Sequence, residues 1–267
     1  FAVFLTRLSG TKVELTYNLM RTFVAGLAFI LPFSLVRQMV KDRLGKKNDG
    51  FKKALPAVAG ALSGVAVSIA GNMHYVIYAQ IIPFIQKLTG QEVDSYWFPD
   101  ATRYIGFNPE NEVDKTIHEF PCYSFVLGDL HAHVVNIMFV LLLLGLLYAW
   151  MKKVRTVKFS PEKQGLAAFW KKQLFMPQLL SVAALLGMFH WTNYWDFVIY
   201  YVMGGMGVIW CNCQKYKELE KPHRMRMTMG ISLLHAVWVF LLATIAALPF
   251  TLQFQSMVSE VALAQNH

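Results

Sequence analysis

The chain has 267 residues, of which 55% are apolar and only 15% charged, whereas soluble proteins carry roughly 25% charged residues. That balance excludes the one or two soluble domains its length would allow and points to an integral membrane protein. The net charge of +9 is no nucleic-acid footprint, because the basic residues sit between apolar spans and form no stripe.

A spanning helix needs about 20 mostly apolar residues, and six such stretches are expected. The first runs from Tyr17 to Val36, with Arg21 one turn inside and able to snorkel to the interface. The second, Ala54 to Asn72, contains Gly60 and Gly64, a G-x-x-x-G spacing that lets helices approach closely. Val134 to Trp150 is the clearest. Leu174 to Trp191 and Phe197 to Cys211 form a tight hairpin of short spans, which leaves room for tilt or partial embedding. The last, Met227 to Phe250, carries His235, read as a buried packing histidine. The expected fold is therefore all-α, a polytopic transmembrane bundle of about six spans forming a single domain over 1–267. The chain opens on Phe1 without a Met and both ends lie close to apolar spans. It is read as a fragment of a longer protein.

Basic residues set the expected orientation. Arg37 to Lys53 holds seven, Lys152 to Lys172 seven and Lys215 to Arg226 five. These three loops alternate correctly if all face the cytoplasm, which the positive-inside rule favours. The segment 73–133 is then extracytoplasmic, with eight acidic residues against three basic ones. Its first part, His74 to Lys87, reads as a short interfacial helix. Of the three cysteines, Cys122 lies in this outer segment, and Cys211 and Cys213 end a span on the other side. They form no disulfide framework, and a lone C-x-C is a weak metal signal.

The chemistry is concentrated in Trp97 to Arg103 and in Ile117 to His133. Glu119, Asp129, His131 and His133 crowd the mouth of a spanning helix, where polar groups must be hydrated, paired or functional. Asp129 has two compatible readings. It can cap the following helix, whose amides and dipole favour its ionised form, or it can act as a base or metal ligand. Asp129-x-His131-x-His133 also has the D-x-H-x-H form of a soluble amidohydrolase metal motif. That motif needs an extended strand and a barrel of roughly 250 residues, so only a metal bound by Asp129 with His131 or His133 stays open. A second constellation, Phe189 to Asp196, reads as an aromatic belt with Asp196 as a helix cap, or as a further wall of the outer pocket. Indole faces suit sugar rings there.

The run His118-Glu-Phe-Pro-Cys-Tyr-Ser-Phe-Val-Leu-Gly-Asp-Leu-His-Ala-His133 resembles the E-F-P-x-x-S-F-x-x-G/A-D-L-H-P-H signature of the "YYY" membrane proteins of bacteria and archaea. Trp97 to Arg103 resembles that family's W-x-x-S-R region, and Tyr194-Trp-Asp196 its N-x-W-D-x-P segment. Phe4 to Met20 looks like the part just after its tyrosine motif. Three departures stand out: His-Ala-His for His-Pro-His, Ala101-Thr102 where Ser precedes Arg, and Val198 near the expected Pro. The resemblance implies a GT-C-like glycosyltransferase of the cell membrane. It would take a sugar from a polyprenyl-phosphate donor in the membrane lipid to a carbohydrate or protein acceptor on the extracytoplasmic face. Asp129 and Glu119 would be the catalytic carboxylates. Arg103, His131, His133, Trp97, Asn193, Trp195 and Asp196 would bind substrate, and Asp129, His131 and His133 are the candidate ligands of a divalent cation, Mg or Mn. A transporter or channel is a second class, which normally places ionisable residues in mid-span and breaks helices there; these spans hold few. A non-catalytic assembly subunit is a third, which the lack of an outer cavity would favour.

Overall fold

The computed structural model describes residues 2–45, 50–107, 110, 115–156 and 166–254. Lys46 and Lys163, the centres of two expected cytoplasmic loops, lie outside them. The regular structure among the described residues is helical, apart from two isolated bridges, Ile105 with Thr116 and Phe107 with Glu110. They group into two compact units, Phe1–Leu141 and Leu142–His267.

The first unit opens with α1 (Ala2–Ser9) and the long α2 (Val13–Leu44), followed by α3 (Phe51–Ser68). At 32 residues, α2 is about 48 Å long, more than a hydrocarbon core of about 30 Å requires. Helices α2 and α3 pack closely, and the glycine spacing is the reason. A methyl group added at Gly60 would lie 2.8 Å from the Phe33 carbonyl oxygen, and one at Gly64 would lie 2.9 Å from the Phe29 carbonyl oxygen and ring. Met20 and Val24 of α2 bury against Met138.

After α3 the chain forms a π-helical turn, Val76–Ile81, and α4 (Ile82–Thr89), which Gly90 ends in the left-handed region at φ +71°. None of these residues is buried, and Ile77, Ile81, Phe84, Ile85 and Leu88 are all exposed. A helix with its apolar side chains left exposed is what an interfacial segment presents to lipid. A 3₁₀ turn, Phe98–Thr102, and the short α5 (Pro121–Leu127) then lead to α6 (Ala132–Thr156), in which the division between the units falls.

The second unit contains α7 (Leu166–Leu174), α8 (Pro177–Thr192), α9 (Tyr194–Lys215) and α10 (Lys221–Thr251). Gly187 brings α8 against Ala243 and Ala246 of α10. Polar groups bridge the helices: Asn212 Nδ2–H donates to Ser232 Oγ at 3.0 Å, Trp238 Nε1–H to the Leu174 carbonyl at 3.0 Å, and Tyr201 Oη–H to the Ala236 carbonyl at 3.1 Å. His235 is wholly buried, with Nδ1 3.4 Å from Asn212 Nδ2.

The six expected stretches are largely helical, the second ending at Ser68 and the fourth broken between Leu174 and Pro177. Among the described residues only α2, α6 and α10 are by themselves long and apolar enough to cross a membrane. The pair α7 and α8, bent by 41°, makes a fourth if it is one broken span. Composition explains the shortfall. Helix α3 gives up side-chain bulk at Gly60, Ser63 and Gly64 for close packing, α8 has only 16 residues, and α9 carries Asp196 and Asn212. The structure therefore supports three to four candidate spans.

Candidate functional site: a histidine between two carboxylates, and a polar cleft

The two halves of the outer signature are tied together within the first unit. The His118 amide donates to the Thr102 carbonyl at 3.0 Å, and the Thr116 amide to the Ile105 carbonyl at 3.4 Å. Asn72, just past α3, donates from its side chain to the Ala101 carbonyl. Phe120 lies over Gly71, where a methyl group would meet its ring at 2.5 Å. The loop is thus anchored on the end of α3, and Arg103 and Glu119 each follow one member of the hydrogen-bonded pair Thr102 and His118.

From Phe120 the chain enters α5, helped by Pro121 at a position that needs no amide donor. Gly128 ends α5 at φ +76°. The Gly128 and Asp129 amides both donate to the Ser124 carbonyl, at 3.0 and 3.1 Å. This turn sends the chain back, so that residues ten apart meet. His131 Nε2 lies 2.7 Å from Glu119 Oε2 and 3.1 Å from Asp129 Oδ2. Glu119 is mostly buried, its side chain 18% exposed, against 68% for Asp129. The start of α2 supports the turn from beneath. Tyr17 Oη accepts the Leu130 amide at 3.0 Å, and the Arg21 guanidinium lies under Gly128.

Two sequence readings change here. The Asp129 carboxylate turns to the His131 ring, and the amides of Val134 and Val135, in the first turn of α6, bond to the His131 carbonyl, which puts His131 at the cap position. The cluster with metal-binding geometry is Glu119, Asp129 and His131, whose ligand atoms lie within 4.8 Å of one another. His133 is outside it and stacks on His131 at 6.0 Å. Carboxylates suit Mg and Mn alike, whereas the imidazole is less usual for Mg, which takes oxygen ligands.

Arg103 takes part in a separate feature. Its Nη1 donates to the Pro99 carbonyl at 3.1 Å and approaches Tyr123 Oη at 3.5 Å, and its guanidinium lies 5.0 Å from the centre of the Trp97 ring. It lines a cleft of about 450 Å³ together with His74, Tyr78, Tyr96, Asp100 and others. Glu119 and Asp129 are not among the lining residues. His74 stacks on Tyr78 at 4.4 Å, and its Nδ1 is 3.2 Å from Tyr96 Oη. Burial, then the charge of Asp100 and the neighbouring Tyr75, push the Tyr96 phenol above its ordinary value, so it stays neutral near pH 7. Of these residues the sequence pointed only to Arg103 and to the run that contains Asp100. The spacing of His74 and Tyr78, four apart on one helical face, was the available signal for the rest.

In the second unit, Asn193 is the residue before α9, and its Nδ2–H donates to Asp196 Oδ2 at 3.1 Å. Asp196 lies in the first turn of α9, where the helix dipole favours an acid, and is not itself the cap. Trp191, Tyr194 and Trp195 are exposed, Trp195 by 74%, as expected of an aromatic belt.

No curated protein and no solved structure matches this chain. Residues 1–267 match a family described as uncharacterized membrane protein, DUF2298. An apolar helical protein with its polar groups collected in loops agrees with that description, and the chain belongs to the DUF2298 family of membrane proteins.

Proposed function

We propose that this protein is a multi-pass membrane glycosyltransferase that moves a sugar from a polyprenyl-phosphate donor to a hydroxyl acceptor on the extracytoplasmic face. The observation that carries this reading is the pair of carboxylates held on one histidine, Glu119 and Asp129 on His131 Nε2. The acceptor hydroxyl attacks the anomeric carbon, the bond from that carbon to the phosphate oxygen breaks, and polyprenyl phosphate leaves. The acceptor proton passes to a carboxylate acting as general base. Glu119 and Asp129 are the candidates, with His131 orienting both. A divalent cation held by Glu119, Asp129 and His131 would supply charge neutralisation for the departing phosphate. Arg103, Trp97 and His133 are proposed substrate contacts from the same unit. The resemblance to GT-C-like enzymes points the same way. So does the placing of ionisable groups in loops instead of mid-helix, which disfavours a transporter.

The proposed topology has six spans, α2, α3, α6, α8, α9 and α10, with the basic loops inside and 73–133 outside. The activity test is transfer of a radiolabelled sugar from a polyprenyl-phosphate donor by the full-length protein in vesicles. Asp129→Asn and Glu119→Gln should each insert normally. Whichever is the base should lose about 10²–10⁴-fold in rate, the usual contribution of a general base. Near wild-type transfer by both variants sinks the assignment.

A further inference from the structure

Of the cleft around Arg103, the transferase reading uses only Arg103 itself. Its volume of about 450 Å³ falls within the range of small-molecule sites, about 300–1,000 Å³. Tyr78, Tyr96 and Tyr104 supply aromatic surface, and Asp94, Asp100 and Arg103 supply charge. Most of these groups are held from behind. Gln86 bonds the Asp94 carboxylate at 2.8 Å and accepts its amide at 3.3 Å. Tyr104 stacks on His118 at 5.4 Å. Tyr96 is set by His74 and by an edge contact with Tyr75 at 5.5 Å. Arg103 is fixed by Pro99 and Trp97. Bracing of this kind pre-organises a site and lowers the entropy lost on binding.

The charge count selects the ligand. Two carboxylates and one guanidinium line the cleft, so their net charge is negative and disfavours phosphate. A cation would have to sit beside Arg103. A neutral ring rich in hydroxyls meets neither difficulty. Its hydroxyls donate to the carboxylates and accept from Arg103, and its C–H face covers a tyrosine ring.

We infer that this cleft binds a neutral hexopyranose ring. Naming that ring as the acceptor rests on the transferase reading, whereas its binding does not.

The test is saturation-transfer NMR on the full chain in a detergent without a sugar head group. The probes are the methyl glycosides of glucose, galactose, mannose and N-acetylglucosamine, with inorganic phosphate and choline as counter-probes. At least one glycoside should bind and neither counter-probe should. Asp100→Asn, which keeps the shape, should weaken binding about tenfold, the worth of one hydrogen bond to a charged group. Tyr78→Ala, at the exposed rim, should weaken it roughly three- to tenfold, as loss of an aromatic contact does. Binding of phosphate or choline in place of the glycosides, binding of no glycoside, or glycoside binding unchanged in both variants would overturn the inference. The measurement needs no transfer, so the transferase reading can fail while the ring still binds. Transfer can likewise persist while the cleft proves irrelevant.

Discussion

At the scale of single residues, Gly128 shows how backbone conformation builds the site. Its φ of +76° allows α5 to end and Asp129 to return toward Glu119. A side chain there meets two obstacles of unequal size. The Arg21 guanidinium, 2.5 Å from an added methyl, is the free end of a flexible chain and can move. The left-handed backbone cannot, and costs a residue with Cβ about 1–2 kcal/mol. Gly128→Ala should therefore destabilise the protein by roughly that amount, and adding Arg21→Ala should restore little. Thermal unfolding in detergent measures both, and full rescue by the second change would show that the clash dominates. The same turn separates Asp129 from Glu119 in character. Asp129 is exposed and Glu119 largely covered, so the two carboxylates are not equivalent despite sharing His131. The sequence pointed to Asp129 first because it precedes a spanning helix. It did not show that the Asp129 carboxylate leaves that helix for the imidazole.

Among the elements, the α2 and α3 pair carries the clearest consequence of sequence spacing. Gly60 and Gly64 lie one turn apart and both face α2, where the carbonyls of Phe33 and Phe29 come within 2.9 Å of an added methyl. Backbone cannot rotate away as a side chain can. Gly60→Val should force the helices apart and cost roughly 1–3 kcal/mol, as over-packing does. Gly145, which has open space around it, is the control, and its change to Ala should be tolerated. A drop in detergent melting temperature for the first and none for the second is the expected result; equal melting would count against close packing. Because α3 also anchors Asn72 and Gly71 under the signature loop, Gly60→Val should lower transfer as well as stability. Helix α4 shows the limit of element-level reading. Its exposed apolar residues are legible in the sequence, whereas the meeting of His74, just before it, with Tyr96, just after it, required the fold.

For the whole molecule, orientation is the testable property. Basic residues gather at the expected inner ends, and acidic residues in 73–133. With the native cysteines replaced, a single cysteine at Glu92 should react with an impermeant maleimide in intact cells. The exposed Cys213, retained alone, should react only after permeabilisation. The reverse pattern would invert the proposed topology and put the signature segment in the cytoplasm.

The sequence by itself determined the membrane class, the helical class and the positions of the long helices, because twenty-residue apolar runs and glycine spacing are local properties. It also gathered Glu119, Asp129 and His131 at a helix mouth, where charged residues are costly unless paired or used, and these side chains meet in the structure. Of the six expected spans, three to four qualify by length and apolarity among the described residues; α3, α8 and α9 are shorter or more polar. Only the tertiary structure decided which polar groups meet. Glu119 reaches His131 through the reversal at Gly128, and Arg103 and Tyr96 line one cleft with His74, which lies some thirty residues before Arg103. Such meetings depend on where loops return after closure. No period or spacing in the chain encodes that, because it is set by contacts between segments distant in sequence.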